Sequence, residues 1–254
     1  MGFQAWHDAG AKVAIGYQSD RFRSRVEDLT ADWKDNPPVL VECDVAEQKA
    51  ITNAMEEIGD SFDGKLDGLC HSIATSTGEA MKSDFVDCSK RDFLYTLDIS
   101  CYSLISLTRE ALPMLKQADS ASVLALTFLG GQRAIKNYKV MGPAKACLEA
   151  TCRSLAAELV SETRSPYYRV LHRRPMNMPF FQGDSNIRVN SISPGPIQTP
   201  AARGIPGFID LYNSSKDKQF VKEDISIDDV GDMATFLASD KSRKISGQTM
   251  YGKQ

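Results

Sequence analysis

Two side chains suited to proton chemistry, Tyr138 and Lys145, stand seven residues apart in the stretch LTFLGGQRAIKNYKVMGPAKACLEA at 126–150. The pattern predicts that a strand ends at Phe128 and that a following helix carries both residues. Because seven residues turn a helix through about 700°, the two side chains would share one stripe of it. A lysine ammonium beside a tyrosine hydroxyl stabilises the phenolate, which makes the tyrosine a better proton donor or oxyanion partner near neutral pH. A core tyrosine and a solvated lysine would show the same spacing, so the pair needs supporting context.

That context is a regular alternation of short apolar runs and amphipathic stretches, which is typical of a parallel sheet with helices on both faces. The predicted strands are rich in β-branched or large apolar residues and span 11–17, 38–44, 66–72, 121–128, 187–193 and 248–251. The predicted helices span 20–34, 46–60, 93–117, 138–159 and 226–239. The sequence therefore predicts one α/β domain with a doubly wound parallel sheet.

Several predicted strands end in small or polar residues, and cofactor sites of open parallel sheets lie at the carboxyl ends of strands. Strand 38–44 ends in Cys43-Asp44-Val45, and strand 66–72 runs into Ser72-Ile73-Ala74. Strand 187–193 runs into SPGPIQTP, whose prolines stiffen the bend. Each of these ends alone could be a plain loop. Together with the Tyr-Lys pair, they favour a dinucleotide site.

Composition limits the partners that this chain of 254 residues can have. A net charge of −3 argues against nucleic acid or an anionic membrane as the main partner. No apolar run approaches the roughly 18 to 20 residues of a membrane span. The N-terminus lacks the layout of a secretory signal. We expect a cytoplasmic protein, or an organellar one if a transit segment preceded this N-terminus.

The six cysteines form no CxxC pair and have no histidine at zinc spacing. Most of them lie in apolar segments, which predicts small buried thiols in a reducing compartment. No metal site is predicted.

The stretch 160–182, VSETRSPYYRVLHRRPMNMPFFQ, has neither a helical nor a strand period. Deleting it leaves a helix end, a glycine-containing turn and a strand, a type of connection that usually has about two to six residues. We therefore predict an insertion at 160–182, on the side of the sheet opposite the cofactor site, and not an active-site lid.

Outside 160–182, the chain resembles the short-chain dehydrogenase/reductase superfamily and, within it, the NADH-dependent enoyl-acyl-carrier-protein reductase family. The matching stretches are AIGYQSD, CDVAE, HSIA, LDISCYSL, NYKVMGPAKACLEA, IRVNSISPGPIQTPAARGI and ISGQTMY. Most of the superfamily spaces its Tyr and Lys four apart, whereas the enoyl reductases space them seven apart, as Tyr138 and Lys145 are here. The resemblance implies a Rossmann-like, doubly wound single domain over 1–254.

The resemblance also implies an activity: the reduction by NADH of the 2,3 double bond of a trans-2-enoyl thioester on acyl carrier protein, in fatty acid biosynthesis. Tyr138 would donate to the thioester oxygen as it becomes an enolate, and Lys145 would hold the nicotinamide ribose hydroxyls. The segment 200–218 would be the substrate loop, and the family form would be a homotetramer. The residues implied to contact the cofactor are Gln18 near the adenosine, Asp44 and Val45 at the adenine, Ser72, Ile73 and Ala74 along the pyrophosphate and ribose, and Ile197 and Thr199 at the nicotinamide amide and phosphates.

The choice between NADH and NADPH depends on the end of strand 11–17. It reads GYQSDRF, without the acidic residue that many NAD sites carry about 20 residues after the glycine turn. Gln18 is tolerated in the NADH-using enoyl reductases, whereas Arg21 and Arg23 could hold the 2′-phosphate of NADPH. We expect NADH, with NADPH as the alternative.

The chain departs from the family pattern at several places. Phe128 stands where the family usually has a second tyrosine, and phenylalanine cannot donate a hydrogen bond. The chain opens MGFQAWHDAG, without the first strand and the glycine-rich turn that cradle the pyrophosphate. It closes at TMYGKQ, before the VDGG-type turn of the family. We expect strands 11–17 and 66–72 to flank a gap left by the first strand.

Two other functions stay open at this point. Another short-chain reductase would act on a carbonyl substrate, but it would carry a serine just after strand 121–128 and a Tyr-Lys spacing of four. The second alternative is that the chain is an inactive, truncated or mis-spliced product, because codons for 160–161, 180–182 and 252–253 can resemble splice signals. A retained intron would then explain the insertion at 160–182.

Overall fold

The computed structural model describes residues 2–159, 186–199, 202, 205, 207–210, 212–213 and 223–252. Its helices are α1 (Gly2–Asp8), α2 (Asp20–Leu29), α3 (Gln48–Ser61), α4 (Gly78–Lys82), α5 (Lys90–Leu97), α6 (Ser103–Leu115), α7 (Met141–Leu159) and α8 (Ile227–Ala238). Its strands are β1 (Ala14–Tyr17), β2 (Val39–Glu42), β3 (Gly68–His71), β4 (Ala121–Leu126), β5 (Ile187–Ser193) and β6 (Thr249–Tyr251). Short 3-10 turns lie at Phe85–Asp87, Leu129–Gly131 and Asp240–Ser242, and a π-helical segment, Asp98–Tyr102, joins α5 to α6.

Hydroxyl side chains fix where several of these helices begin. The Thr77 side chain accepts a hydrogen bond from the backbone N–H of Ala80 at the start of α4. At the start of α8, Ser226 and Asp229 form a reciprocal capping box. Such caps satisfy N–H groups that have no partner inside the helix, so they set the first turn of each helix.

Among the residues that the structure describes, all strand pairs are parallel, as predicted. Strands β3, β4, β5 and β6 form one sheet in that order, and β1 pairs with β2. In a parallel sheet the carboxyl ends of all strands lie at one edge, where a site can form. Strands β1 and β3, which were predicted to flank a gap, belong to different sheets in the part of the chain described.

Helices cover both faces of the larger sheet because side chains of β4 alternate between two cores. Val123 and Ala125 point into one core, which α3, α6 and α7 complete. Leu124 points into the other core, together with Val230 and Leu237 of α8. This alternation is the period of two expected of a strand that is buried on both sides, and it confirms the doubly wound α/β fold.

The opening helix α1 packs on α8 and on the larger sheet. Trp6 packs against the core beside α8, and its ring lies where a side chain at Gly68 of β3 would stand, 3.4 Å from the ideal Cβ position. His7 stacks on Trp33, with ring centroids 3.8 Å apart. The opening stretch of the chain is therefore a packed helix.

The element boundaries differ from the predicted ones in two places that matter. The predicted helix 93–117 is interrupted by the π-helical segment, and the predicted helix 138–159 begins only at Met141. The second difference has a backbone cause, because Asn137 and Lys139 have φ angles of 64° and 43° and so cannot belong to an α-helix. Tyr138 lies in the turn before α7.

All six cysteines are free thiols, as expected, but they are not all buried. Cys101 and Cys152 are buried, whereas Cys147 is exposed. The prediction of uniformly buried thiols is wrong at Cys147 because this residue lies on the outer face of α7, which the sequence alone does not orient.

The predicted insertion, 160–182, and most of the predicted substrate loop, 200–218, lie outside the described residues. Both stay predictions. Among the helices that the structure describes, none combines the length and the apolar character needed to cross a membrane.

Candidate active site

Lys145 occupies the first turns of α7 and is 6% exposed. Its ammonium nitrogen donates a hydrogen bond to the carbonyl oxygen of Leu126, at a distance of 2.7 Å. Leu126 is the last residue of β4, so this bond ties the helix to the carboxyl end of the strand. Burial lowers the pKa of Lys145 to about 8, although electrostatic interactions with Cys152, Cys101 and Glu149 oppose that shift.

Tyr138 is 5% exposed and lies in the turn just before α7. Its ring packs edge-on against Phe128, with centroids 5.0 Å apart. Gly130 makes room for it, because an added Cβ there would stand only 2.2 Å from the Tyr138 ring. The β4–α7 loop is therefore shaped around this tyrosine.

The pKa of Tyr138 is shifted in the direction opposite to the one predicted from a neighbouring lysine. Its pKa is raised above the ordinary value, by burial first and by the charge of Glu149 second. The expected stabilisation of a phenolate by Lys145 is therefore wrong for this arrangement, in which burial decides the ionisation of the tyrosine. The Tyr138 hydroxyl stays protonated at neutral pH, as a hydrogen-bond donor must.

Glu149, one helical turn after Lys145, is a buried carboxylate that was not among the predicted site residues. It is 3% exposed, and its Oε1 accepts a hydrogen bond of 2.8 Å from the Thr127 hydroxyl. Its Oε2 lies 3.4 Å from the side-chain nitrogen of Gln132, which also contacts the Tyr251 hydroxyl. This network ties α7 to the loop after β4 and to β6. The sequence does carry a signal that could have identified Glu149 as a site residue, because this glutamate stands four positions after the lysine on a mostly apolar helix.

The segment after β3 is held by hydroxyl groups. His71 ends the strand, is fully buried, and lies 2.7 Å from the Ser103 hydroxyl through Nε2. The Ser100 hydroxyl donates to the carbonyl of Thr75 and accepts from the N–H of the same residue. These anchors fix both ends of Ser72-Ile73-Ala74. Ile73 packs against the core that α3, α6 and α7 complete, and its two neighbours are exposed.

The pKa of His71 is lowered to about 3, mainly by burial and further by the charge of Lys145. The imidazole is therefore neutral at ordinary pH, so it cannot act there as a charged acid. Its burial and its contact with Ser103 are those of a packed side chain.

The ends of β1 and β2 come together through Gln18 and Asp44. The Gln18 amide donates a hydrogen bond of 3.1 Å to one Asp44 oxygen, and the backbone N–H of Ala46 donates to the other. Val45 packs against the core that α3, α6 and α7 complete. Nearby, Arg23 forms an ion pair with Glu27, at 3.0 Å, one turn along α2.

The segment after β5 carries Ile197 and Thr199. Ile197 packs against the core beside α8, and the Thr199 hydroxyl accepts a hydrogen bond from the N–H of Ala202. Further along, an added Cβ at Gly207 would lie 2.8 Å from the Asn137 side chain. The described part of 200–218 thus reaches the turn that carries Tyr138.

The structure brings the candidate residues to the carboxyl ends of parallel strands in two groups. Gln18, Asp44 and Val45 follow the β1–β2 pair, while the remaining candidates follow strands of the larger sheet. Those remaining candidates are Ser72, Ile73 and Ala74 after β3, Tyr138 and Lys145 after β4, and Ile197 and Thr199 after β5. Their roles toward a ligand stay predictions.

Comparison with known proteins agrees with this architecture. A family model described as "Enoyl-(Acyl carrier protein) reductase" matches residues 3–164 and 180–252. The chain is 35% identical to the NADH enoyl-acyl-carrier-protein reductase FabI of Escherichia coli, over 98% of this chain and 84% of that protein. It is 34% identical to the NADPH enoyl-acyl-carrier-protein reductase FabI of Staphylococcus aureus, over 95% of this chain and 84% of that protein.

Among solved structures, the enoyl-acyl-carrier-protein reductase of Anaplasma phagocytophilum in complex with NAD superimposes with a TM-score of 0.83. It is 31% identical, and the match covers 98% of this chain and 85% of that one. Sequence and fold thus agree over nearly the whole chain, which belongs to the enoyl-acyl-carrier-protein reductase family.

Proposed function

We propose that this protein reduces the 2,3 double bond of trans-2-enoyl thioesters, carried by acyl carrier protein, with NADH in fatty acid biosynthesis. The observation that carries the proposal is the buried pair of Tyr138 and Lys145 at the carboxyl end of β4, in a chain of this family. Their spacing of seven is the one that the enoyl reductases use.

Tyr138 stabilises the charge that the reaction creates. Reduction at the β-carbon leaves negative charge on the thioester oxygen, and a fixed donor aimed at that oxygen lowers the barrier. The raised pKa of Tyr138 keeps its hydroxyl protonated, and the contact with Phe128 holds its ring in place. The tyrosine therefore acts as a donor that needs no rearrangement.

Lys145 supports the same site as a buried cation. With a pKa of about 8 it is mostly protonated at neutral pH, so it can donate to the ribose hydroxyls beside the nicotinamide. When bound, NADH supplies the hydride. Lys145 orients that donor and adds positive charge near the developing enolate.

The polar and small apolar residues at the strand ends suit the parts of a dinucleotide. Asp44 and Val45 are proposed to contact adenine, with Gln18 near the adenosine. The segment Ser72-Ile73-Ala74 is proposed to line the pyrophosphate and ribose path. Ile197 and Thr199 are proposed to meet the nicotinamide amide and the phosphates.

Two contacts favour NADH over NADPH. The carboxylate of Asp44 lies beside Gln18 at this end of the sheet and would repel a 2′-phosphate. Arg23, which could hold that phosphate, is paired with Glu27. The names of the relatives include both cofactors, so a direct comparison of the two is part of the test.

The substrate loop and the assembly complete the proposal. Residues 200–218 would close over the acyl chain, which is supported by the approach of Gly207 to Asn137, next to Tyr138. The homotetramer of the family is proposed for this chain as well. The free cysteines suit a reducing compartment such as the cytoplasm.

The competing activity, reduction of a carbonyl substrate, is disfavoured by Thr127. A carbonyl reductase of the superfamily would place a free serine near this position. The Thr127 hydroxyl is instead buried and donates to Glu149, so it cannot serve a substrate.

The test is an NADH absorbance assay on the full chain with crotonyl-coenzyme A. We expect NADH oxidation with the enoyl thioester, slower oxidation of NADPH, and none with a ketone of similar size. Oxidation only with the ketone would support the carbonyl reductase. A folded chain that turns over neither substrate would contradict the proposal and favour an inactive product.

A further inference from the structure

The turn that carries Tyr138 has an unusual backbone on both sides of this residue. Asn137 and Lys139 have φ angles of 64° and 43°, in the left-handed region. Asparagine adopts this region more readily than most residues, but a lysine side chain does nothing locally to favour it. Such a conformation persists only where the surrounding structure holds it. The turn around the tyrosine therefore needs a support from another element.

The side chain of Lys139 supplies that support. Its ammonium nitrogen donates hydrogen bonds to the carbonyl oxygens of Lys82 and Ser83, at 2.9 and 2.5 Å. These two residues are the last residue and the C-cap of α4. Carbonyl groups at the end of a helix have no N–H partner inside it, so they are open to a lysine donor. The two bonds thus join the turn before α7 to the end of α4.

The helix α4 is itself fixed, so it can serve as an anchor. The Thr77 side chain caps its first turn, and Ala80 at its centre is 1% exposed. The Ser83 hydroxyl donates to the carbonyl of Glu79 and closes the last turn. Because α4 belongs to the connection that follows β3, Lys139 ties together the segments that leave two neighbouring strands.

We infer that Lys139 is a positioning residue for Tyr138 in the reduction of enoyl thioesters, an inference that rests on the proposed function. A donor stabilises an oxyanion best when it is in place before the reaction, and an error of about 1 Å can cost roughly 10²-fold in rate. Phe128 and Gly130 define where the tyrosine ring packs. Lys139 fixes the backbone immediately after the tyrosine and so sets the direction of its hydroxyl.

Position, and not charge alone, distinguishes Lys139 from a second lysine of the same loop. Lys136 stands three residues earlier and is exposed, whereas Lys139 is half-buried and bonded to α4. Replacing either lysine with methionine removes one ammonium group from this loop. The Lys136→Met variant is therefore the matched control, because it leaves the bonds to α4 intact.

The first test is a double-mutant cycle on the full-length chain, with steady-state rates for NADH and crotonyl-coenzyme A. Lys139→Met should lower kcat by at least roughly tenfold and leave both KM values within about twofold, because the tyrosine acts on charge that develops only in the transition state. In the Tyr138→Phe background the same change should lower kcat by less than about twofold, because the hydroxyl that it positions is gone. Lys136→Met should keep the wild-type kcat.

Two kinetic outcomes would overturn the inference. One is an unchanged kcat in Lys139→Met, whatever happens to KM. The other is a pair of losses that multiply in the double variant, because Lys139 would then act independently of the tyrosine hydroxyl.

Hydrogen exchange measured by mass spectrometry gives a second readout, which does not depend on activity. The N–H groups of Tyr138, Met141 and Gly142 donate to backbone carbonyls in this turn, so their exchange rates report its opening. In Lys139→Met these amides should exchange at least roughly tenfold faster, while those of β4 keep their rates. Unchanged exchange, or faster exchange throughout the chain, would overturn the inference. If the wild-type chain reduces no enoyl thioester, the proposed function fails, whereas the exchange rates still decide whether Lys139 holds the turn.

Discussion

The ammonium of Lys145 lies 2.7 Å from the carbonyl oxygen of Leu126, so the cation of α7 is fixed to the carboxyl end of β4. Burial leaves that cation with a pKa of about 8, and the charge of Glu149 is one of the effects that keep the pKa from falling further. The charge of the site therefore changes within an accessible pH range.

We expect kcat/KM for NADH to fall as the pH rises through about 8, because deprotonation of Lys145 removes the positive charge that holds the cofactor. In Glu149→Gln the opposing charge is lost, so the pKa of Lys145 drops and the fall should move to lower pH. Steady-state rates measured across pH test this. Glu158→Gln, on the exposed face of the same helix, should keep the wild-type profile.

Replacing Tyr138 with phenylalanine should lower kcat/KM for the enoyl thioester by roughly 10²- to 10³-fold, the usual loss when one oxyanion donor is removed. The ring contact with Phe128 survives, so the melting temperature should hardly change. The exposed Tyr95→Phe is the control and should retain full activity. An unchanged rate in Tyr138→Phe would remove this residue from the mechanism.

Gly130→Ala should displace Tyr138, because the new Cβ would stand 2.2 Å from its ring. We expect activity to fall at least tenfold, since a misplaced donor no longer meets the thioester oxygen. Gly78→Ala, where a Cβ meets nothing within 4 Å, is the matched control. Rates and melting curves of both variants decide between a local effect and general unfolding. Wild-type rates in Gly130→Ala would contradict the packing described for the loop.

His71 should make the fold sensitive to acid. Its pKa is about 3 in the folded chain, whereas an unfolded chain has an ordinary imidazole with a pKa of about 6.5. Between these values the unfolded chain binds more protons, so the free energy of unfolding falls as pH falls from about 6.5. The slope for this one group is at most about 1.4 kcal/mol per pH unit.

Urea unfolding at several pH values tests the role of His71. His71→Gln should reduce the dependence on pH, whereas Ser103→Ala, which keeps the imidazole, should retain it. Equal slopes in wild type and His71→Gln would assign the acid sensitivity to other groups.

The α/β class, the order of the strands along the chain and the family can all be inferred without the structure. Apolar runs and turns are local signals, so β4 and β5 were located closely, and the Tyr-Lys spacing together with the other matching stretches indicated an enoyl reductase. The start of α7 was missed because positive φ angles at Asn137 and Lys139 arise from loop packing that no local pattern specifies.

The pKa shifts of the site and the contacts between residues far apart in sequence become visible only in the folded chain. The buried carboxylate of Glu149, the raised pKa of Tyr138 and the bonds from Lys139 to the end of α4 all depend on which elements pack together. Burial and proximity are properties of the packed chain, since desolvation acts on a side chain only after other elements have covered it.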